Sequence, residues 1–168
     1  MNDDAQALLD RPAVRRVRAA LAAAGSAARV MVLAETARSA GDAAASIGCP
    51  LGAIVKSLVF VIDGRAVMAL VAGDRRCDTR ALGAALGLAG AVGRADADAV
   101  RAATGYTIGG VPPLAHATRL PTAIDASLGR FATVYAAAGH PHCVFPTSLD
   151  ELARLTGGAV APGIAAHP

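Results

Sequence analysis

The fold of this chain is set by residues 54–72, IVKSLVFVIDGRAVMALVA. Two apolar runs, 54–62 and 66–72, stand on either side of Asp63-Gly64, a dipeptide that strongly indicates a two-residue hairpin turn. The sequence therefore predicts an antiparallel pair of strands here, and the other elements are arranged around that hairpin.

Lys56 lies inside the first run and is the only lysine among the 16 lysine and arginine residues of the chain. Arginine is a planar fork that is always charged, whereas lysine is a compact point charge whose pKa changes on burial. Two interpretations stay open from residue type alone. Either one lysine survives by chance in an arginine-rich composition, or this strand position requires a compact cation with three donors facing an anionic or carbonyl oxygen.

Helical and extended segments alternate along the chain without an internal repeat. Periodicity and capping residues predict helices at 13–25, 39–47, 79–86 and 96–103, and a last helix with Thr147 as its N-cap. Apolar runs predict further strands at 30–33, at Val92, and near 121–125, 130–135 and 142–145. We expect a single α+β domain with a mixed β-sheet flanked by helices. Its parts are an N-terminal helical segment (1–29), a main domain (30–158) and a loosely ordered tail (159–168).

Composition excludes several classes of protein. Hydrophobic residues make up 54% of the chain and charged residues 17%, which excludes a disordered chain. No stretch approaches the ~18 consecutive apolar residues of a membrane span. The N-terminal segment carries three aspartates and an alanine-rich run broken by Gly25, so it is interpreted as an amphipathic helix rather than a signal peptide, and we expect a cytoplasmic protein.

Charge and aromatic content limit the kind of nucleic-acid contact. The net charge of +3 is compatible with an RNA partner held through its phosphates. With no Trp, 2 Tyr and 3 Phe, the chain has too few aromatic residues for a platform on which bases stack.

Neither a metal site nor a covalent nucleophile is indicated. The cysteines form no CxxC pair, and the H-x-H of His140 and His142 lacks a third ligand at suitable spacing. Ser57 is not part of a G-x-S-x-G elbow, and nothing places a base beside a cysteine. We expect no metal and no cofactor.

Residues 105–113, GYTIGGVPP, form the second informative segment. Glycines allow a close approach of the backbone, and Pro112 and Pro113 fix the exit of the loop and remove N–H groups. Such a loop is suited to binding a carbonyl oxygen or a small polar ligand. It lacks the ending of a phosphate-binding P-loop and the spacing of a dinucleotide fold, and a plain surface turn is the alternative.

Two further polar features have more than one interpretation. Asp125 ends an apolar run, where it could orient a base, hold Lys56 or Arg119, or cap a turn. Arg75 and Arg76 follow the second strand of the hairpin, either as a solvated helix start or as contacts to phosphate.

Several motifs in a fixed order resemble the YbaK-type family, stand-alone relatives of the editing domain of bacterial prolyl-tRNA synthetases. The motifs are CP at 49–50, IVKSLVF at 54–60, AGDRR at 72–76, GY at 105–106, GGVPP at 109–113, LP at 120–121 and ID at 124–125. The similarity covers most of the chain, and residues 30–158 correspond to the editing-type catalytic domain. The family fold, a mixed sheet flanked by helices, agrees with the fold expected above.

The resemblance implies catalytic roles for four residues. Lys56 matches the family's key lysine, which engages the phosphate or ribose of the tRNA acceptor end. Gly109, Gly110 and Pro113 match the family loop that surrounds the aminoacyl group. Lys56 is thereby interpreted as an anchor for the acceptor end rather than as a nucleophile or base.

The resemblance also implies substrate contacts at other positions. They are Gly105, Val111, Pro112, Asp125, Gly139, His140, Arg75 and Arg76. Family members often carry serine or threonine in place of Pro112 and glycine in place of Ala115, so the loop departs from the family pattern at these two positions.

The implied function is deacylation of mischarged aminoacyl-tRNA, with tRNA(Pro) carrying cysteine, alanine or 2-aminobutyrate as the expected substrate. The implied partners are the tRNA acceptor end and, as an option, prolyl-tRNA synthetase, with no membrane and a monomer or weak homodimer. Because of Pro112 and Ala115, a non-catalytic tRNA-end or synthetase-binding module is the alternative. A small-molecule binder without an RNA role is a third hypothesis.

Overall fold

The hairpin predicted from residues 54–72 lies in the middle of an eight-stranded mixed sheet. The computed structural model describes residues 2–34 and 37–168. In chain order the strands are β1 Met31–Val32, β2 Ile54–Ile62, β3 Arg65–Ala72, β4 Arg76–Cys77, β5 Val92–Arg94, β6 Thr122–Asp125, β7 Val134–His140, β8 Cys143–Thr147, β9 Ala159–Ala161 and β10 Ala165–Ala166. Across the large sheet the order is β1-β8-β7-β2-β3-β6-β9, β5 pairs with β2 outside this path, and β10 pairs with β4 in a separate sheet.

Helices cover the two faces of the sheet. They are α1 Asp3–Leu9, α2 Pro12–Ala23, α3 Ala40–Ile47, α4 Thr79–Leu86, α5 Ala97–Thr104 and α6 Leu149–Thr156. Ser39 and Asp42 form a capping box at the start of α3, and Asp78 accepts two backbone hydrogen bonds at the start of α4. These local signals explain why both helices form at the predicted positions. Of the helices in the described ranges, none is long and apolar enough to cross a membrane.

β2 has a gap in its strand pairing. One edge pairs antiparallel with β3 along almost the whole strand. The other edge pairs in parallel with β7 through Ile54 and Val55, and antiparallel with β5 through Phe60–Ile62. Within residues 2–34 and 37–168, no strand pairs with Lys56–Val59 on this side, although the Ala95 N–H donates to the Val59 carbonyl oxygen at 3.3 Å. We call residues 56–59 the open edge of β2.

Alternate side chains of β2 enter different parts of the core. Val55 and Val59 pack in the main cluster, which also contains buried side chains of α2, α5 and α6. Phe60 packs in a second cluster with α4, and Ile54 in a third cluster with α3. The alternation therefore places Lys56 on the face shared by α3 and α4, at the boundary between their two clusters.

The expected α+β fold is confirmed, but two element boundaries near its end were wrongly predicted. The strand expected at 130–135 begins at Val134, because residues 126–130 form a 3₁₀ turn in which Asp125 accepts a hydrogen bond from the Ser127 N–H. The last helix is capped by Ser148, whose side chain accepts from the Glu151 N–H, rather than by the predicted Thr147.

The loosely ordered tail expected from residue 159 is also wrong. β9 pairs in parallel with β6, and β10 pairs antiparallel with β4. Between them Ile164 is 1% exposed and packs in the cluster under α4. Burial of this one side chain, together with the two strand pairings, orders a segment whose composition alone indicates a loop.

Asp125 is a buried carboxylate at the end of β6, 3% exposed. One carboxylate oxygen accepts from the Ala72 N–H at 3.0 Å and from the Ser127 hydroxyl at 2.8 Å, and the other accepts from the Ser127 N–H at 2.8 Å. Because Ala72 is the last residue of β3, the carboxylate ties the turn after β3 to β6. Of the three sequence interpretations of Asp125, capping of a turn is the one that these contacts support.

Replacing Asp125 should lower the free energy of unfolding. Asp125→Ala leaves the Ala72 N–H without an acceptor, and losing a buried hydrogen bond to a charged group costs ~1.5–3 kcal/mol. Asp125→Asn keeps one carbonyl oxygen and is the matched control, with an expected loss of about half as much. Urea unfolding measures both variants, and equal stability of the two would contradict the role given to these hydrogen bonds.

Candidate functional site

A cleft lies over the open edge of β2, beneath the loop of residues 105–113. It has two adjoining parts, with volumes of about 280 and 180 Å³. Both parts are lined by Ser57, Leu58, Ile108, Gly109 and Val111. The larger part continues toward the start of α3 and toward β7, and the smaller part extends toward α5. We call the two parts together the loop cleft.

The backbone of Ser57 faces the open edge. A two-residue hairpin is closed by a hydrogen-bonded pair, which here is Ile62 opposite Arg65. Since hydrogen-bonded and non-hydrogen-bonded pairs alternate along an antiparallel ladder, Ser57 directs its N–H and C=O away from β3. The Ser57 hydroxyl is buried and has no hydrogen-bond partner among the described residues. The floor of the cleft thus offers the backbone groups of Ser57 to a ligand, while the hydroxyl of this residue is enclosed.

Lys56 borders the larger part of the loop cleft. Its Nζ donates a hydrogen bond to the Arg75 carbonyl oxygen. Burial lowers the pKa of the Lys56 ammonium, and the nearby Asp74 carboxylate opposes this shift. An ammonium has three donors, so one acceptor leaves the others available to an incoming oxygen.

The Arg75 carbonyl is held by the tight turn between β3 and β4. A Cβ on Gly73 would overlap the Leu51 carbonyl oxygen, so the turn requires glycine at this position. Asp74 forms a bidentate ion pair with Arg130 at 2.9 and 2.8 Å, and this hydrogen bonding lowers the pKa of the Asp74 carboxyl. The acceptor of Lys56 is therefore fixed before any ligand binds.

The loop of residues 105–113 is fixed to β7 at Gly110. A Cβ on Gly110 would lie 2.9 Å from the His140 nitrogen, so this glycine permits a close approach to the protein's own backbone. Gly109 lies at the exposed lip with a φ of +97°, whereas Val111 and Pro113 are buried. Of the predicted loop residues, Gly109 and Val111 line the cleft, and Gly110 and Pro113 support it from within the protein.

Of the eight predicted substrate contacts, only Val111 lines the loop cleft. Pro112 is buried beside it, and three others lie toward α2 and β7. Gly105 and Gly139 border a separate concavity beside α2. A Cβ on Gly139 would lie 2.7 Å from the Ala13 carbonyl oxygen, so packing of α2 on β7 explains this glycine. His140 Nδ1 accepts from the His142 N–H at 3.1 Å. Packing and local hydrogen bonding account for the positions of these residues.

Of the polar residues predicted as further contacts, Asp125 has a structural role, whereas Arg75 and Arg76 lie near Lys56. Asp125 is enclosed by its own hydrogen bonds, as described above. Arg75 Nη1 lies 3.2 Å from His167 Nε2, and it is the carbonyl of Arg75, not the guanidinium, that reaches the site. Arg76 borders a second concavity that adjoins Lys56.

Three residues at the cleft were given no site role by the sequence analysis. Ile108 is 57% exposed at the lip, and an apolar residue between glycine and threonine in a polar loop is a signal that could have found it. Arg94 lines the smaller part of the cleft, and Ser57 forms its floor. Neither has a local sequence signal, because both reach the cleft through the register of β2 and β5.

The chemistry available in the cleft is non-covalent. In the described part of the chain there is no group of three His, Cys, Asp or Glu side chains that could hold a metal ion. Ser57 has no base beside it, and burial raises the pKa of the Cys77 thiol to about 11, so this thiol stays protonated near neutral pH. An ammonium and backbone groups can bind a carbonyl compound and orient water, but they form no nucleophilic pair.

The loop departs from the family pattern at Pro112 and Ala115, and these two residues have different structural effects. The Pro112 carbonyl oxygen lies 2.6 Å from His116 Nε2, and burial lowers the pKa of this imidazole. Ala115 has a φ of +65°, the left-handed conformation that glycine adopts without strain, and its carbonyl oxygen accepts from the Tyr106 hydroxyl at 3.1 Å. The loop thus keeps a backbone shape suited to glycine although the residue is alanine.

Ala115→Gly should raise the free energy of unfolding by about 0.5–1 kcal/mol. The variant relieves the strain of alanine at positive φ, and this gain exceeds the cost of the larger conformational entropy that glycine gives the unfolded chain. Ala117→Gly, in the same loop at an exposed position without positive φ, is the control and should be neutral or slightly destabilising. Thermal or urea unfolding compares them, and destabilisation by Ala115→Gly would contradict the strain.

Comparison with known proteins finds a matching family and similar solved structures. The profile of the aminoacyl-tRNA editing domain matches residues 34–155. The chain is similar to a proposed trans-editing enzyme for prolyl tRNA synthetase, with 40% identity and a TM-score of 0.84 over 90% of this chain and 96% of that chain. It is also similar to the hypothetical protein APE2540, with 28% identity and a TM-score of 0.82 over 90% of this chain and 99% of that chain.

The uncharacterized protein YwhH of Bacillus subtilis is 33% identical over 116 residues, which are 68% of this chain and 73% of that protein. The profile match spans the hairpin, Lys56 and the loop of residues 105–113. The chain belongs to the aminoacyl-tRNA editing domain family.

Proposed function

We propose that this protein is a trans-editing hydrolase that deacylates mischarged aminoacyl-tRNA, with tRNA(Pro) carrying a small non-cognate amino acid as the substrate. The observation that carries the proposal is the position of Lys56. The only ammonium side chain of the protein stands at the open edge of β2, directly beside a cleft covered by the Gly109 loop. The proposed partner is the tRNA acceptor end, with docking on prolyl-tRNA synthetase as an additional interaction.

The size and lining of the cleft favour a small aminoacyl group. Its two parts are about 280 and 180 Å³, and apolar side chains such as Leu58, Ile108 and Val111 form much of the wall. Cysteine, alanine and 2-aminobutyrate are of this size. A synthetase discriminates poorly between these amino acids and proline, because one methylene changes the binding free energy by only ~1–3 kcal/mol. A second site that selects by shape can then hydrolyse the mischarged tRNA.

The proposed reaction is hydrolysis of the ester by water. Lys56 binds the acceptor end, and the backbone groups at Ser57 and Gly109 face the ester carbonyl. Water adds to the carbonyl carbon, and the bond between this carbon and the ribose oxygen breaks. The proton lost by the water passes to the departing ribose oxygen. The products are the free amino acid and tRNA with a free terminal hydroxyl.

A non-catalytic module that binds the tRNA end is the alternative, favoured by Pro112 and Ala115 in the loop. The left-handed conformation of Ala115 supports the enzyme instead, since the substitution leaves the loop in the backbone shape that glycine would adopt. Measurable RNA binding without turnover would favour the module. A binder of small molecules without an RNA role predicts no tRNA affinity that falls with salt.

Purified protein should deacylate members of a panel of tRNA(Pro) esters of alanine, cysteine, serine, threonine and 2-aminobutyrate. Lys56→Ala should lower kcat/KM about 100-fold, because a hydrogen bond from a charged donor contributes ~1.5–3 kcal/mol. Lys56→Arg keeps the charge and is the matched variant. We expect it to lose most of this activity as well, since the wider guanidinium does not reproduce the compact ammonium in the same space.

Two results would contradict these expectations. If no ester of the panel is hydrolysed faster than in buffer, the proposed activity fails. If Lys56→Arg retains full activity, only the charge of Lys56 matters and the requirement for a compact ammonium is wrong.

The pH dependence should follow the protonation of Lys56. Burial lowers the pKa of its ammonium from the ordinary 10.5. Below this lowered pKa the side chain is charged and binds the acceptor end, and above it the charge is lost, so kcat/KM should fall at a lower pH than an ordinary lysine predicts. Any residual activity of Lys56→Arg should show no such fall, because arginine stays charged. The measurement is kcat/KM against pH, corrected for spontaneous ester hydrolysis, and an identical alkaline fall in both proteins would argue against Lys56.

A further inference from the structure

A second concavity of about 560 Å³ lies on the other side of Lys56. Three cationic side chains line it, Lys56 from β2, Arg76 from β4 and Arg94 from β5, together with the Thr79 hydroxyl at the start of α4. We call it the cationic pocket.

The cationic pocket adjoins the loop cleft. Lys56 lines both the pocket and the larger part of the cleft, and Arg94 lines both the pocket and the smaller part. Leu58 lies on the floor of all three concavities. The cleft and the pocket therefore share part of their lining, at Lys56, Leu58 and Arg94.

The two arginines of the pocket have no ion-pair partner among the described residues. In residues 2–34 and 37–168 no carboxylate forms an ion pair with Arg76 or Arg94, and no carboxylate lines the pocket. The neighbouring Asp78 accepts the Arg80 and Ala81 N–H groups at the start of α4. Burial and, to a smaller extent, the charge of Arg76 lower the pKa of Lys56, while the Asp74 carboxylate opposes the shift.

Three cations around one concavity are unfavourable until an anion binds between them. Arginine binds phosphate with two parallel hydrogen bonds, and lysine adds a point charge. A polyanion or a phosphate group satisfies all three side chains at once, whereas a neutral ligand satisfies none of their charges.

We propose that the cationic pocket binds the phosphodiester that joins the terminal nucleoside of the tRNA to the preceding nucleotide. The inference rests on the proposed function. In an aminoacyl-tRNA the ester and this phosphodiester are attached to the same ribose, so their two sites must be neighbours. The loop cleft and the cationic pocket are neighbours, and Lys56 lies between them. Arg76 and Arg94 are thereby assigned as phosphate ligands.

The test compares two substrates that differ in the phosphodiester, alanyl-tRNA(Pro) and the alanyl ester of adenosine. Arg76→Ala and Arg94→Ala should each raise KM for alanyl-tRNA about tenfold at nearly unchanged kcat, and the slope of log(kcat/KM) against log[salt] should weaken by about one. Arg76→Ala should not change hydrolysis of the adenosine ester, because Arg76 does not line the loop cleft. Arg65→Ala is the control, because it removes the same charge from an exposed position at the start of β3, away from the pocket.

The inference is overturned if the Arg76→Ala/Arg94→Ala double variant has the KM and salt slope of Arg65→Ala, or if it loses as much activity on the adenosine ester as on the tRNA. A direct measurement of RNA binding distinguishes failure of the phosphate site from failure of the proposed hydrolase activity. Fluorescence anisotropy with an RNA hairpin that ends in CCA needs no turnover. Weaker RNA binding by the double variant than by Arg65→Ala supports the phosphate site even if no ester is hydrolysed, and equal binding overturns it.

Discussion

The half-buried ammonium of Lys56 needs an oxygen partner, and the site depends on how the protein holds that partner. The Arg75 carbonyl supplies it from the turn between β3 and β4. Asp125 binds the N–H at the end of β3, and the ion pair of Asp74 with Arg130 fixes the turn from the other side. Because burying an unpaired charge is costly, these supports keep the only lysine of the chain in one position at a gap in the sheet.

Elements with local signals could be predicted from the sequence, and elements with distant partners could not. The hairpin at Asp63-Gly64 and the helices capped by Ser39 and Asp78 form at the expected positions, because the turn and cap residues lie within or next to the element. β9 and β10 are stabilised by pairing with β6 and β4, so their own composition does not reveal them. The 3₁₀ turn at 126–130 likewise depends on the carboxylate of Asp125.

The candidate site could be predicted in part for the same reason. The family motifs locate Lys56 and the loop of residues 105–113, and the structure brings these two together. The gap in the pairing of β2 depends on where β7 and β5 pair with it, which no local pattern specifies. Glycines were the least informative signal, because Gly110 and Gly139 permit close contacts within the protein, and a motif does not distinguish such a contact from an approach to a ligand.

The gap in the pairing of β2 also bears on self-association. An unpaired strand edge is a template on which a strand of another molecule can pair, and long exposed edges lead to aggregation. Here the unpaired segment is residues 56–59, with β7 at one end and β5 at the other. An intruding strand of typical length, about 5–6 residues, does not fit between these neighbours. The protein thus leaves backbone groups available to a short ligand, while the length of the gap itself excludes pairing of another molecule's strand at this position.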